Sequence, residues 1–242
     1  MKICIAQTRP AKGDIRRNIA NHVNLVELAS TNGADAIVFP ELSLTGYEPA
    51  LAAELAIDPC DDRLDVFQRL ANVRQVMIGT GVPTKNDAGI CISMIVFQPG
   101  EARRAYSKQY LHPDEEEFFI RGKRDTGLIG AGNAIALAIC YELSVPAHAN
   151  DAFRNGARIY IASVAKFLPG ITKATERLAE IAGEYSMPAL MANCVGEADG
   201  QQCAGRTSAW NDRGGLAGQL DDSSEGILIF DTGTQEAVAV II

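Results

Sequence analysis

The chain has six cysteines, at positions 4, 60, 91, 140, 194 and 203, but no C-x-x-C pair. Cys4, Cys91, Cys140 and Cys194 lie in apolar, strand-like runs, a usage that suits a reducing compartment. No run approaches the roughly eighteen apolar residues of a membrane span. The opening "MKICIAQTRPAKGD" passes from strand into turn without the apolar core of a signal peptide. A soluble cytoplasmic protein, with no membrane partner, is therefore expected. Basic clusters are also lacking: 22 Lys and Arg stand against 30 Asp and Glu, a net charge of −8, which argues against nucleic acid as a partner. The three histidines, His22, His112 and His148, fall into no metal-ligand spacing, and His148 reads as a helix-surface residue. There is no G-x-S-x-G elbow and no P-loop, and "GLIGAGNA" lacks the spacing and the following helix of a dinucleotide fingerprint.

What is present is enough apolar material, 47% of 242 residues, to build one α/β domain over residues 1–242. "KICIAQ" reads as a buried strand. Asp14 then caps a helix carrying Ile15, Ile19, Val23 and Val26 at helical spacing, which Asn32-Gly33 ends, and "DAIVFP" follows as a strand. Further strands are expected in "QVMIGTGV", "GICISMIVF" and "EARRAYSK". The second half repeats the alternation, with "AIALAIC", a short helix in "VPAHANDAFRNG", "ARIYIASVA" and a longer helix through Ala174, Leu178, Ile181 and Tyr185 that Pro188 stops. "ALMANC", "RTSAWN", "GILIFD" and "AVAVII" complete the strands. Helices covering a strand-rich core is the economical architecture.

Three reactive residues stand where expected strands end: Glu41 after "AIVFP", Lys108 after "RRAYS" and Cys140 after "AIALAI". In α/β sheets the crevice beyond the carboxyl ends of strands is where polar side chains meet a ligand. Singly, each has an ordinary reading: a solvated loop glutamate, a loop lysine, an inert buried thiol. Together they are the parts of an acyl-transfer site. A free thiol, with a pKa of about 8.5, needs a neighbouring base or cation to become a nucleophile. Lys108 can supply that charge and stabilise an oxyanion, as can the backbone N–H of Tyr141, while Glu41 carries the proton.

Three segments, "FPELSLTGYEP", "YSKQYLHPDEEEFFIRG" and "ICYELSVP", resemble the signature blocks of the nitrilase, or carbon–nitrogen hydrolase, superfamily, in the same order. The resemblance extends over essentially the whole chain. It implies an α/β fold, a single-domain α-β-β-α sandwich giving a four-layer core on dimerisation. A Glu41-Lys108-Cys140 site is implied, with no metal and no organic cofactor. A second glutamate is implied on the loop after the lysine, placed at Glu115 with Glu116 and Glu117 as alternatives. The implied chemistry is hydrolysis of a small linear amide through a cysteine thioester. N-carbamoyl amidohydrolase, nitrilase, glutaminase-like domain, acyltransferase and non-catalytic scaffold are the competing readings. Ser144 stands where the monoamide-hydrolysing branches carry arginine. Lys166 reads either as a ligand for a substrate carboxylate or as an exposed loop lysine. A homodimer or higher homo-oligomer is expected from the resemblance.

Overall fold

The computed structural model describes residues 1–242, the side chain of Asn133 excepted. In chain order the elements are β1 (Lys2–Gln7), α1 (Ile15–Thr31), β2 (Ala36–Val38), α2 (Ala52–Leu55), α3 (Asp65–Arg74), β3 (Met77–Asn86), β4 (Gly89–Phe97) and β5 (Arg104–Ser107). There follow β6 (Leu128–Ile129), β7 (Ile135–Ile139), α4 (Pro146–Arg154), β8 (Ile159–Ser163), α5 (Leu168–Tyr185), β9 (Ala189–Ala192), β10 (Val195–Ala198) and β11 (Gln201–Ala204). The last four are β12 (Ser208–Trp210), β13 (Leu216–Gln219), β14 (Gly226–Asp231) and β15 (Glu236–Ile241). They form a seven-stranded sheet, β15-β14-β1-β2-β3-β4-β5, a six-stranded sheet, β13-β12-β9-β8-β7-β6, and the β10-β11 hairpin.

The strand alternation sorts the layers. Cys4 and Ala6 of β1 pack with Leu25, Val26 and Ala29 of α1 and Phe67 and Ala71 of α3, on the outer face of the first sheet. Ile3 and Ile5 point the other way, into a core shared with β7–β9 and with Ala149, Ala152, Ile171, Leu178 and Ile181 of α4 and α5. Both faces of the central strands are thus covered, which is why they read as unbroken apolar runs. The α-β-β-α sandwich expected from the sequence is present, and its four layers are complete within one chain.

Several boundaries moved. Asp14 caps α1 as expected, its carboxylate accepting from the Arg17 N–H. α5 begins at Leu168, earlier than its apolar period indicates, with Pro169 in its first turn, and it ends where Ser186 turns left-handed, ahead of Pro188. α3 lies in residues 49–74, to which periodicity assigned nothing, because only Phe67 and Ala71 of its ten residues are fully buried. The short strands β6, β10, β11 and β13 were likewise unanticipated.

His148 is not on the helix surface. It shares the buried side of α4 with Ala149 and Ala152, with its Nδ1 2.9 Å from the Tyr160 hydroxyl and its Nε2 3.1 Å from that of Tyr106. Burial pushes its pKa down to about 4. The unfolded chain binds this proton below the ordinary value of about 6.5 and the folded chain does not, so the site's contribution to stability falls as pH drops through that interval. We expect the stability gap between the parent and His148→Gln, measured by urea unfolding, to narrow from pH 7 to pH 4 by up to roughly 3 kcal/mol. A gap that stays constant would show that His148 does not titrate with unfolding.

Candidate active site

Tight backbone contacts deliver each reactive side chain. Past β2, the Phe39 N–H donates to the Gly79 carbonyl and the Leu44 N–H to that of Gly81, holding residues 39–44 against β3. A Cβ at Gly81 would lie 2.5 Å from the Leu42 nitrogen and the Pro40 oxygen, so only glycine lets the Glu41 turn approach. His22 backs the same turn, stacked on Phe39 at 3.9 Å and 2.9 Å from the Ser43 hydroxyl. Past β5, Lys108 is fixed through its N–H to Ile92 O and its carbonyl to the Gly122 N–H.

These turns bring Glu41 and Lys108 together. The Lys108 ammonium, fully buried, donates to Glu41 Oε1 at 2.8 Å and to Glu115 Oε1 at 2.7 Å. Glu115 in turn accepts from the Tyr47 hydroxyl at 2.9 Å and, on Oε2, from the His112 N–H at 2.8 Å. Glu116 and Glu117 are exposed, and Glu116 pairs outward with Arg121. Of the three alternatives, then, Glu115 alone reaches Lys108. Burial disfavours the Lys108 charge, but Glu41, the thiol and Glu115 more than offset it and hold its pKa above the ordinary value. Glu41 is pushed up by burial against the pull of Lys108, with Glu115 adding to the rise. Its Oε2 is buried and has no partner among the described residues, which leaves one carboxylate oxygen free to take a proton.

Cys140 closes β7 and opens a short 3-10 turn, Cys140–Ser144, with φ at 43°. A left-handed conformation at a residue with a Cβ costs about 1 kcal/mol or more. Burial, then Glu41, push the thiol up to about 11, while Lys166 and then Lys108 pull against that rise. Lys166 is therefore not an exposed loop lysine. It is partly buried on the same pocket wall as Cys140, and its own pKa is raised chiefly by that thiol. Asn193 anchors it, accepting from the Lys166 N–H at 2.8 Å and donating to its carbonyl at 3.2 Å. The pocket, about 190 Å³, is bounded by Tyr47, Glu115, Cys140, Tyr141, Lys166 and Phe167. Larger cavities, of about 480 and 620 Å³, open elsewhere and include none of the three strand-end residues. Among the described residues no three His, Cys, Asp or Glu side chains are grouped to hold a metal ion.

One residue of the site escaped the sequence reading. Glu142, two positions past the cysteine, is fully buried. It accepts from the N–H of Gln109 at 2.6 Å, the N–H of Ile139 at 2.8 Å and the Tyr106 hydroxyl at 2.8 Å. Gln109 follows Lys108 and Ile139 precedes Cys140, so one carboxylate ties together the backbones that carry both. A charged residue inside the apolar stretch "ALAICYEL" was the available signal.

Comparison with known proteins agrees with this architecture. The Carbon-nitrogen hydrolase family profile matches residues 2–240. An (R)-stereoselective amidase from Pseudomonas sp. is 27% identical over 201 residues, 82% of this chain and 73% of that protein. The glutamine-dependent NAD(+) synthetase of Acinetobacter baylyi is 29% identical over 149 residues, 59% of this chain but only 27% of that protein. Among solved structures, the NitN amidase from Nesterenkonia sp. AN1 superposes with a TM-score of 0.86 at 22% identity, covering 96% of this chain and 92% of that one. With a family match spanning nearly its full length, the chain belongs to the carbon–nitrogen hydrolase family, enzymes that hydrolyse carbon–nitrogen bonds.

Proposed function

We propose that the protein hydrolyses a small linear amide to a carboxylate and ammonia through a thioester on Cys140. The observation that carries this reading is the buried Lys108 ammonium bridging Glu41 to Glu115, the carboxylate that lines one pocket together with Cys140. The relation to an (R)-stereoselective amidase supports the same class of reaction.

In this mechanism the free oxygen of Glu41 takes the thiol proton as sulfur attacks the amide carbon. The Lys108 ammonium and the Tyr141 N–H receive the oxyanion, and Glu41 returns the proton to nitrogen as ammonia leaves. Water then attacks the thioester. Glu41 removes its proton, the tetrahedral intermediate breaks down, and the carboxylic acid departs with the thiol restored. Glu115 holds Lys108 and faces the substrate. Lys166 has a distinct task. Once Glu41 has taken the thiol proton, Glu115 balances the Lys108 charge, so Lys166 provides the cation that the charge on sulfur needs.

Glu142 acts as a positioning residue, fixing the separation of Lys108 and Cys140. We also read the protein as cytoplasmic, in keeping with six free thiols, and as a homo-oligomer. Exposed Leu216 on β13 and Val238 and Ile241 on β15 offer an apolar edge to a second copy.

Three experiments test these assignments. Ammonia release from a panel of small amides, N-carbamoyl compounds and nitriles should be seen for the parent and fall by at least about 10⁴-fold in Cys140→Ala; retained release would eliminate the thioester route. Glu142→Gln should lower kcat by about 100-fold with KM within threefold, and Tyr106→Phe, which removes one of three bonds, by about tenfold. Equal changes in kcat and KM, or none, would contradict a positioning role. Light scattering should report a mass at least twice the 25.9 kDa of one chain; a monomer would refute self-association.

A further inference from the structure

The pocket at Cys140 does not end at Lys166. A side cleft of about 430 Å³ adjoins it, sharing His112, Tyr141, Lys166 and Gly170 as a common wall. Its far side is built by one face of α5. Gly170, Lys173, Ala174 and Arg177 recur at the spacing that stacks side chains along a helix, and all four line the cleft, with Ser144 opposite.

Charge distinguishes this cleft from the rest of the molecule. The chain as a whole is acidic, at −8, yet Lys166, Lys173 and Arg177 line the cleft and no carboxylate does among the described residues. The acids of α5, Glu176, Glu180 and Glu184, are exposed outside it. Two of these steady Arg177, Glu180 at 3.0 Å and Glu184 at 4.0 Å. Asp114, at the mouth of the thiol pocket, is paired with His112. Lys173 is exposed and has no ion-pair partner among the described residues. The small side chains of Gly170, Ala174 and Ser144 keep the space between these cations open.

We propose that the amide hydrolysed at Cys140 carries a carboxylate a few bonds from its carbonyl carbon, received in this side cleft by Lys173 and Arg177 with Lys166 at the junction. The assignment rests on the amidohydrolase reading and narrows it to anionic amides. A neutral aliphatic amide fills the thiol pocket and leaves Lys173 without a counter-charge and Arg177 paired only with the acids outside the cleft. A carboxylate satisfies them with charge-assisted hydrogen bonds and gains by electrostatic attraction on approach. An ω-amido acid presents this carboxylate on the acyl side and an N-carbamoyl amino acid on the leaving-amine side; the cleft recognises the chemistry the two share.

The test is ammonia release from matched pairs: glutaramic acid against pentanamide, and N-carbamoyl-β-alanine against propylurea. In at least one pair the acid should exceed its neutral partner in kcat/KM by about fivefold or more, carried by KM, as expected for a partly exposed ion pair. The pair that shows the preference assigns the side of the scissile bond on which the carboxylate lies. Lys173→Met, at an exposed position, should cut that acid-to-neutral ratio by about fivefold. Neutral partners turned over as well as the acids would overturn the proposal, as would a Lys173→Met variant that changes both members of a pair by one factor. Silence from all four compounds would overturn the carboxylate assignment, and silence across the wider panel of amides, N-carbamoyl compounds and nitriles as well would remove the amidohydrolase reading with it.

Discussion

The constraint on which the structure turns is the burial of one ammonium between two carboxylates. Lys108, Glu41 and Glu115 are each 2% exposed or less. Taking such ions out of water costs several kcal/mol apiece, and their mutual attraction repays this only where geometry is close to ideal. An apolar cluster of similar volume would serve folding as well or better. The fold nevertheless commits much of its precision to this one. Gly81 has no side chain so that the Glu41 turn can close, the Gly122 N–H secures the Lys108 carbonyl, and the Tyr47 hydroxyl and His112 N–H saturate Glu115. Each contact lowers the cost of the buried charge, and each also fixes where the ammonium points.

How much of this was legible depends on the range of the interaction that decides it. Glu41, Lys108 and Cys140 were readable because each sits where an expected strand stops, a local feature. The layers were readable because strands buried on both faces spell out continuous hydrophobic sequence. Glu115 could not be separated from Glu116 and Glu117 by pattern. The turn begun by Pro113 decides which of the three points inward, and its anchor is a backbone N–H at His112. Lys166 was ambiguous for a comparable reason. Its backbone is anchored by Asn193, twenty-seven residues away, and nothing in "SVAKF" foretells that partner.

Glu142 and His148 illustrate the harder case. An imidazole near an apolar run reads as solvated, because burying it without partners is costly, and pattern alone gives the carboxylate no role. Their partners exist, but on other strands: Tyr106 joins both, and Tyr160 meets His148. Polar groups that pair across sheets are invisible to periodicity, which counts hydrophobic positions only. The apolar pattern thus identifies the walls of such a site more readily than the polar network that tensions them.

Charge balance links the buried cluster to the pocket above it. Glu41 and Glu115 contribute two negative charges and Lys108 one positive, an excess of one that persists when the thiol proton passes to Glu41 and the charge moves to sulfur. Lys166 removes that excess, and it is the cation that acts most strongly on the Cys140 thiol. In the proposed mechanism, a negative charge at sulfur, and on the oxyanion that follows, would lean on Lys166 staying in place. Asn193 holds it from behind by two hydrogen bonds, and the Ala204 N–H donates to the same carbonyl. Because Lys166 also borders the cleft lined by Lys173 and Arg177, the group proposed to steady the nucleophile is the one past which an anionic substrate would pass. Activation of the thiol and selection of the substrate would then draw on a single ammonium, so a change at Lys166 cannot alter one without the other.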